Sequence, residues 1–468
     1  MRTIRVQLLR GEAMKIPLTL KRNLNPVQIL SIGFATLILF GGILLSLPIS
    51  SATGEFTPLL DSIFTATSAI CVTGLVTLDT GTHWNYFGKT IIMVLIELGG
   101  LGFMSVSTLI ALVIGKRITL KERLVIQEAY NSQNLQGIIR LVKYLLLFTI
   151  GAQVTAALVL MTQFIPMYGL GKGIYYGFWH AVSAFCNAGF DLFGNEVTGK
   201  FQSLTLMNNN KVIIITIGIL IIVGGLGFAV WSELWNAWKN GKKFNRFSFH
   251  TKVVLSLTLV LIVVPTFIFL GLEWSNTLNG MSFGNKLVNA WFAAVTPRTA
   301  GFNSISTTDM APASRFITML MMFIGGSPGS TAGGIKTTTF AVVVFTIFSV
   351  LKGREDTELF SRRLSKSTVY KAVSIFAIGL TLIMVGVVLL SITEGGSSLE
   401  IILYEVFSAF GTVGLSQGIT PFLSSPGKVI IGIIMYLGRV GPITVMLALA
   451  NLKPPAATRY PEDKLLIG

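Results

Sequence analysis

Four glycines, Gly74, Gly189, Gly301 and Gly414, follow one another at separations of 115, 112 and 113 residues. Each closes a moderately apolar run: SIFTATSAICVTG, YGFWHAVSAFCNAG, VNAWFAAVTPRTAG and LYEVFSAFGTVG. A serine stands six residues before three of them, at Ser68, Ser183 and Ser408. Glycine reaches positive φ without a Cβ penalty and lets neighbouring carbonyl oxygens turn together. A ring of such oxygens replaces the hydration shell of an alkali cation, and a helix ending at the turn adds its negative C-terminal end. The candidate carbonyl donors are Val72, Thr73 and Gly74; Asn187, Ala188 and Gly189; Thr299, Ala300 and Gly301; and Thr412, Val413 and Gly414. Three residues before the glycines stand Cys71, Cys186, Arg298 and Gly411, with the two cysteines expected to pack behind the turns as small hydrophobes.

Such turns require a scaffold that holds them out of water, and the composition supplies one. Of 468 residues, 52% are hydrophobic and 12% charged, with a mean hydropathy of +0.72. Soluble domains carry about twice that share of charge, which excludes a soluble multidomain enzyme. Apolar runs long enough for a bilayer core of about 30 Å cover 27–48, 144–165, 212–231, 253–272 and 372–392 without interruption. Two more hold one charge each, 90–114 with Glu97 and 429–450 with Arg439, and an eighth, 316–351, is broken in its middle. Most of the 36 lysines and arginines fall on alternate connecting loops, so the net charge of +16 reads as membrane topology and not as a nucleic-acid surface. Both termini are thereby expected in the cytoplasm. Residues 1–26, basic and interrupted by Pro17 and Pro26, lack the pattern of a cleaved secretory signal, and the first span is expected to be a retained anchor.

The expected architecture is an all-α polytopic membrane protein of four covalently linked units around a pseudo-fourfold central pore. Each unit is a transmembrane helix, a pore helix and a second transmembrane helix, eight spanning helices in all. The units occupy 27–116, 137–240, 250–352 and 369–452, between a basic N-terminal segment 1–26 and a C-terminal tail 453–468. Gly99-Gly100-Leu101-Gly102 recurs as Gly224-Gly225-Leu226-Gly227, with Gly325-Gly326-Ser327-Pro328-Gly329 and Gly438-Arg439-Val440-Gly441 in the third and fourth units.

The broken third-unit helix carries Gly325, Gly326, Ser327, Pro328, Gly329, Ser330, Thr331, Gly333, Gly334 and Lys336. Unwound backbone at membrane depth must meet water or protein, and residues 325–339 are read as an intramembrane loop that obstructs the pore below the turns. The spacing from Gly329 to Lys336 does not fit a phosphate-binding loop. Arg439 lies mid-span, a placement costing about 2.5 kcal/mol or more, and is expected to raise a barrier to cations and to pair with the loop's carbonyls. Asp79, Asp191, Glu196 and Asp309 are candidates for gathering cations at the outer mouth. Two cysteines and the scattered His83, His180 and His250 make no metal-ligand spacing. Apart from Glu97, Lys336 and Arg439 the spans carry no convergent ionisable groups, so neither an enzyme nor a bound cofactor is expected.

These features resemble the Trk/Ktr/HKT superfamily of potassium transporters, and within it the bacterial Ktr membrane subunit, over about residues 25–452. The four glycines, the broken third-unit helix and the arginine of the last span carry the resemblance. It implies K⁺ uptake through a gated, channel-like pore in the bacterial plasma membrane, with Na⁺ as an activator in several members. Gly74 resembles the K⁺-selective members, whereas a serine there would resemble Na⁺-preferring plant relatives. It further implies a homodimer and a cytosolic octameric ring of RCK subunits that binds ATP or ADP and contacts the basic loops. Two other readings stay open here: a symporter coupling K⁺ to Na⁺ or H⁺ by alternating access, and an assembly role without transport.

Overall fold

The computed structural model describes residues 26–102, 123–125, 127, 138–195, 199–241 and 244–441. The expectations for residues 1–25, for 103–114 of the second span and the basic residues that follow it, for Glu196, for 442–450 of the last span and for the tail 453–468 lie outside them. Four long apolar helices dominate: α1 (Pro26–Ser46), with α2 (Leu59–Ile70) and α3 (Tyr86–Leu101) following it, then α4 (Ile138–Tyr168). The chain continues with α5 (Leu170–Phe185), α6 (Lys211–Leu226), α7 (Phe228–Lys239) and the long α8 (Phe249–Leu272). After it come α9 (Phe283–Val295), α10 (Pro312–Phe323) and α11 (Thr337–Leu351). The last long helix is α12 (Lys366–Thr393), followed by α13 (Leu399–Gly411) and α14 (Ser425–Val440). A two-residue hairpin, Glu358–Leu359 against Arg362–Arg363, joins α11 to α12.

Side-chain oxygens start several of these helices by taking orphan N–H groups of the first turn. Asn85 caps α3, Asn210 α6, Ser248 α8, Ser365 α12, Ser398 α13 and Ser424 α14. The long helices are apolar on nearly all sides, and no more than 39% of any of their spanning windows is buried by protein. Leu39 and Phe40 of α1, Val260 and Phe267 of α8, and Val388 and Ile392 of α12 face outward. A continuous apolar surface of this extent requires lipid, which makes the chain a multi-pass membrane protein.

The expected unbroken span over 212–231 is not what forms. The helix stops at Leu226, Gly227 takes φ 91°, and α7 leaves at 100° to α6. A glycine at positive φ ends an α-helix without steric cost, which a hydropathy window cannot register. Likewise the unwound segment between α10 and α11 runs from Ile324 to Lys336, so residues 337–339 of the expected loop are already helical.

The helices after each turn pack on the next short helix: α3 on α5, α6 on α9, α10 on α13, and α14 back onto α2. Two ion pairs sit on this circuit. Arg315 of α10 meets Glu400 of α13 at 2.8 Å, and Lys428 of α14 meets Asp61 of α2 at 2.6 Å across 367 residues of sequence. The second pair is the better shielded, at 16% and 13% side-chain exposure. Breaking a shielded pair strands a charge, so Lys428→Ala is expected to cost about 2 kcal/mol. The check is thermal unfolding in detergent, where the exchange Asp61→Lys with Lys428→Asp should recover most of the lost midpoint.

Candidate functional site: a ring of glycine turns above a loop

Four times in the described residues, a short helix ends and the chain makes the same turn. Val72, Asn187, Thr299 and Thr412 have φ of 56°, 59°, 72° and 50°, and the glycines two residues later 92°, 70°, 78° and 95°. The residue between each pair is not left-handed. This alternation lets successive carbonyls share one side instead of alternating as in a strand. Three of the first-position residues are β-branched, and each costs about 1–2 kcal/mol in this conformation. Strain repeated at equivalent positions of a packed turn marks a functional segment.

The four turns touch in a closed circle. A Cβ added to Gly74 would fall on the carbonyl oxygen of Ala188, one on Gly189 on that of Ala300, one on Gly301 on that of Val413, and one on Gly414 on that of Thr73, never farther than 2.7 Å. All four glycines therefore adjoin the carbonyl that precedes the next glycine, and the order closes from the fourth turn to the first. The same four glycines line one cavity of about 460 Å³, together with Asp79, Asp191, Gln202, Asn303 and Ser416.

The surrounding residues hold the turns in place. Ser68 Oγ accepts from Gly74 N–H at 3.0 Å, and Ser408 Oγ accepts from Gly414 N–H at 3.1 Å. Ser183 instead donates to Phe190 O at 2.7 Å. Thr296 serves the third turn in the same way, donating to Phe302 O. The sequence reading missed Thr296 because it stands five, and not six, residues before its glycine. Glu405 was missed too: buried on α13, it accepts from Ser416 Oγ at 2.8 Å and from Thr420 Oγ1 behind the fourth turn. Gly99, Gly224 and Gly438 lie directly against the carbonyls of Ile70, Phe185 and Phe410 at the ends of the short helices, leaving no space for a Cβ. Cys71 and Cys186 are buried behind the first two turns, and Cys186 Sγ lies 3.2 Å from Glu97, which also accepts from Gln153 at 2.9 Å. Arg298 is buried behind the third turn.

Of the candidate outer acids, Asp79 is committed to structure. Its carboxylate accepts from Thr82 N–H, Thr82 Oγ1 and Phe201 N–H at 2.7–2.9 Å, tying the loops after the first and second turns together. Asp191 accepts from Phe193 N–H. Burial, opposed by that N–H and reinforced by the charge of Asp79, pushes the Asp191 carboxyl up to about 7. Asp309 is exposed.

Below the ring, the loop Ile324–Lys336 is anchored at several points. Ser327 and Thr331 N–H groups donate to the α6 carbonyls of Gly225 and Gly224, Gly325 N–H donates to Ile335 O, and Thr337 N–H to Gly326 O. Gly329 O accepts from Phe228 N–H at the start of α7. Lys336 Nζ donates to Ala332 O at 2.7 Å within the loop. The guanidinium of Arg439 reaches across: Nη1 donates to Thr331 O, and Nη2 to Gly99 O and, at 3.3 Å, to Gly100 O. One side chain thus joins the loop to the last carbonyls of α3. A fixed positive charge at a helix C-terminus is favourable there, which offsets part of its cost inside a membrane.

Residues 28–459 match the protein family TrkH, described as a cation transport protein. The chain is 43% identical to the potassium/sodium uptake protein NtpJ of Enterococcus hirae over 96% of its own length and 98% of that protein. It is 42% identical to the Ktr system potassium uptake protein B of Bacillus subtilis over 95% and 97% of the two chains. Among solved structures, the potassium transporter TrkH from Vibrio parahaemolyticus superposes with a TM-score of 0.70 at 16% identity, covering 94% of this chain and 87% of that one. That likeness supports the fold.

Proposed function

The chain belongs to the TrkH family of cation transport proteins, and on that premise we propose that it takes up K⁺ through a gated, channel-like pore. It is a cell-membrane transporter and not an enzyme. The observation that carries the reading is the closed circle of four glycine turns on a single cavity. In this reading the carbonyls of residues 72–74, 187–189, 299–301 and 412–414 replace the water shell of K⁺. The four helix–turn–helix units form a pseudo-fourfold pore, and both termini are cytoplasmic. Loop 324–336, held by Arg439, blocks the path beneath the ring and is the gate. The names of the relatives as Ktr system proteins support a multicomponent assembly. We extend this to a homodimer on a cytosolic octameric RCK ring that carries ATP or ADP, with Na⁺ as an activator.

The test is rubidium uptake in cells lacking their own potassium transport, expressing this chain with and without the RCK partner. Uptake that requires the chain and persists when Na⁺ and H⁺ gradients are collapsed at a fixed K⁺ gradient is the expected result. Uptake that stops when either gradient is removed rejects the pore in favour of symport.

A further inference from the structure

The loop below the ring touches the turns themselves. Thr331 Oγ1 donates to Phe185 O at 3.1 Å, and its oxygen lies 3.5 Å from the side-chain amide of Asn187, the first left-handed residue of the second turn. Phe185 ends α5, so its carbonyl is one of the helix-end acceptors left without an intrahelical donor. Thr331 is fully buried, and Gly224 presses on the same spot: a Cβ there would meet Phe185 O, the Asn187 side-chain amide and Thr331 Oγ1 together. On the far side of the loop, a Cβ on Gly333 would fall on the Thr412 side chain, and one on Gly334 would lie 3.3 Å from Gly411 O. Thr412 is the first left-handed residue of the fourth turn. The order of turns around the circle puts the second and fourth opposite one another. The loop therefore braces two opposed turns at once, through a hydroxyl on one side and a glycine surface on the other.

We propose that Thr331 is a positioning residue that couples the loop to the selectivity of the ring: with the loop seated its hydroxyl fixes the Phe185–Asn187 backbone, and when the loop leaves that turn relaxes. The inference rests on the pore reading above. The Arg439 contact reinforces it, because Arg439 binds the backbone oxygen of the same residue whose hydroxyl binds the turn. Displacing the loop must then break the contact to Phe185 as well as that to Arg439. Turns 2 and 4 lose their braces, whereas no loop contact of this kind meets Val72 or Thr299 among the described residues. A passive plug would alter how much passes; a brace also alters what passes.

The experiment compares wild type, Thr331→Val and Thr331→Ser in rubidium uptake competed by Na⁺ and by K⁺, each with the RCK partner present. Valine keeps the shape and removes the hydroxyl. The expected result is at least a threefold loss of K⁺-over-Na⁺ preference in Thr331→Val at retained surface expression, and its recovery in Thr331→Ser. Altered maximal uptake with the same ion preference in all three proteins overturns the coupling while leaving the pore intact. Absence of uptake by wild type overturns the pore reading and the coupling with it. If Thr331→Val fails to reach the membrane, Thr331→Ala, which also lacks the hydroxyl, supplies the same comparison: unchanged preference in a transporting Thr331→Ala protein overturns the proposal, and lost preference that Thr331→Ser recovers supports it.

Discussion

Gly301→Ser is expected to abolish most discrimination between K⁺ and Na⁺ while leaving the protein in the membrane. Gly301 has φ 78°, a conformation that costs a residue with a Cβ about 1–2 kcal/mol. The added carbon would also overlap Val413 O, and would lie 3.1 Å from Gly189 Cα and 3.2 Å from Gly414 Cα. Val413 O is the carbonyl contributed by the neighbouring turn at this level of the ring, so the substitution strikes two turns together. The serine hydroxyl is also a small, mobile oxygen that serves a smaller cation as well as a larger one. A change of about 1.4 kcal/mol in the difference between two ions is a factor of ten, and a shift of that size is the expected effect of displacing the carbonyls of both turns. The measurement is competition by Na⁺ and K⁺ for rubidium uptake, with surface expression as the control for folding. Preference unchanged within twofold would remove Gly301 from the ion path and break the fourfold reading.

The second large effect belongs to Arg439. Arg439→Ala removes donors to Thr331 O, Gly99 O and Gly100 O in one step, and charge-assisted bonds of this kind contribute about 1.5–3 kcal/mol each. It also removes a fixed positive charge beneath the ring proposed to bind cations. Both changes favour flux, so uptake without the proposed RCK partner is expected to rise about tenfold, and any stimulation by that partner to shrink accordingly. Arg439→Lys should fall between the two. An ammonium keeps the charge but lacks the planar fork that reaches the loop and the α3 end together. Concentration-dependent uptake in the absence of the proposed RCK subunit separates the variants. Equal maximal rates for arginine, lysine and alanine would show that this contact holds no barrier.

The candidate site was readable to different depths at different residues. The glycines at 74, 189, 301 and 414 announce themselves because only glycine takes their φ cheaply and because the pattern returns four times. Val72, Thr299 and Thr412 carry the same left-handed strain but no local signal, since β-branched residues are ordinarily extended. Ser68 and Ser408 stood out by spacing, and the structure gives each a glycine N–H to hold. Asp79, one of four candidates for gathering cations, knots two loops. A carboxylate's availability depends on which N–H groups arrive beside it, and Phe201 arrives from 122 residues away.

What the sequence determined by itself is local and periodic: apolar runs that need lipid, basic loops, helix-ending glycines and their recurrence. Hydropathy and φ preference are properties of a residue and its immediate neighbours, and they survive in any fold. What only the tertiary structure decided are the contacts between distant segments. The closing of the fourth turn onto the first, the pairing of Lys428 with Asp61, the 100° departure of α7, and the hold of Thr331 on Phe185 belong to that class. They arise when packing brings together groups far apart in the chain, and hydrogen bonds acting over about 3 Å then choose among partners that no linear pattern distinguishes.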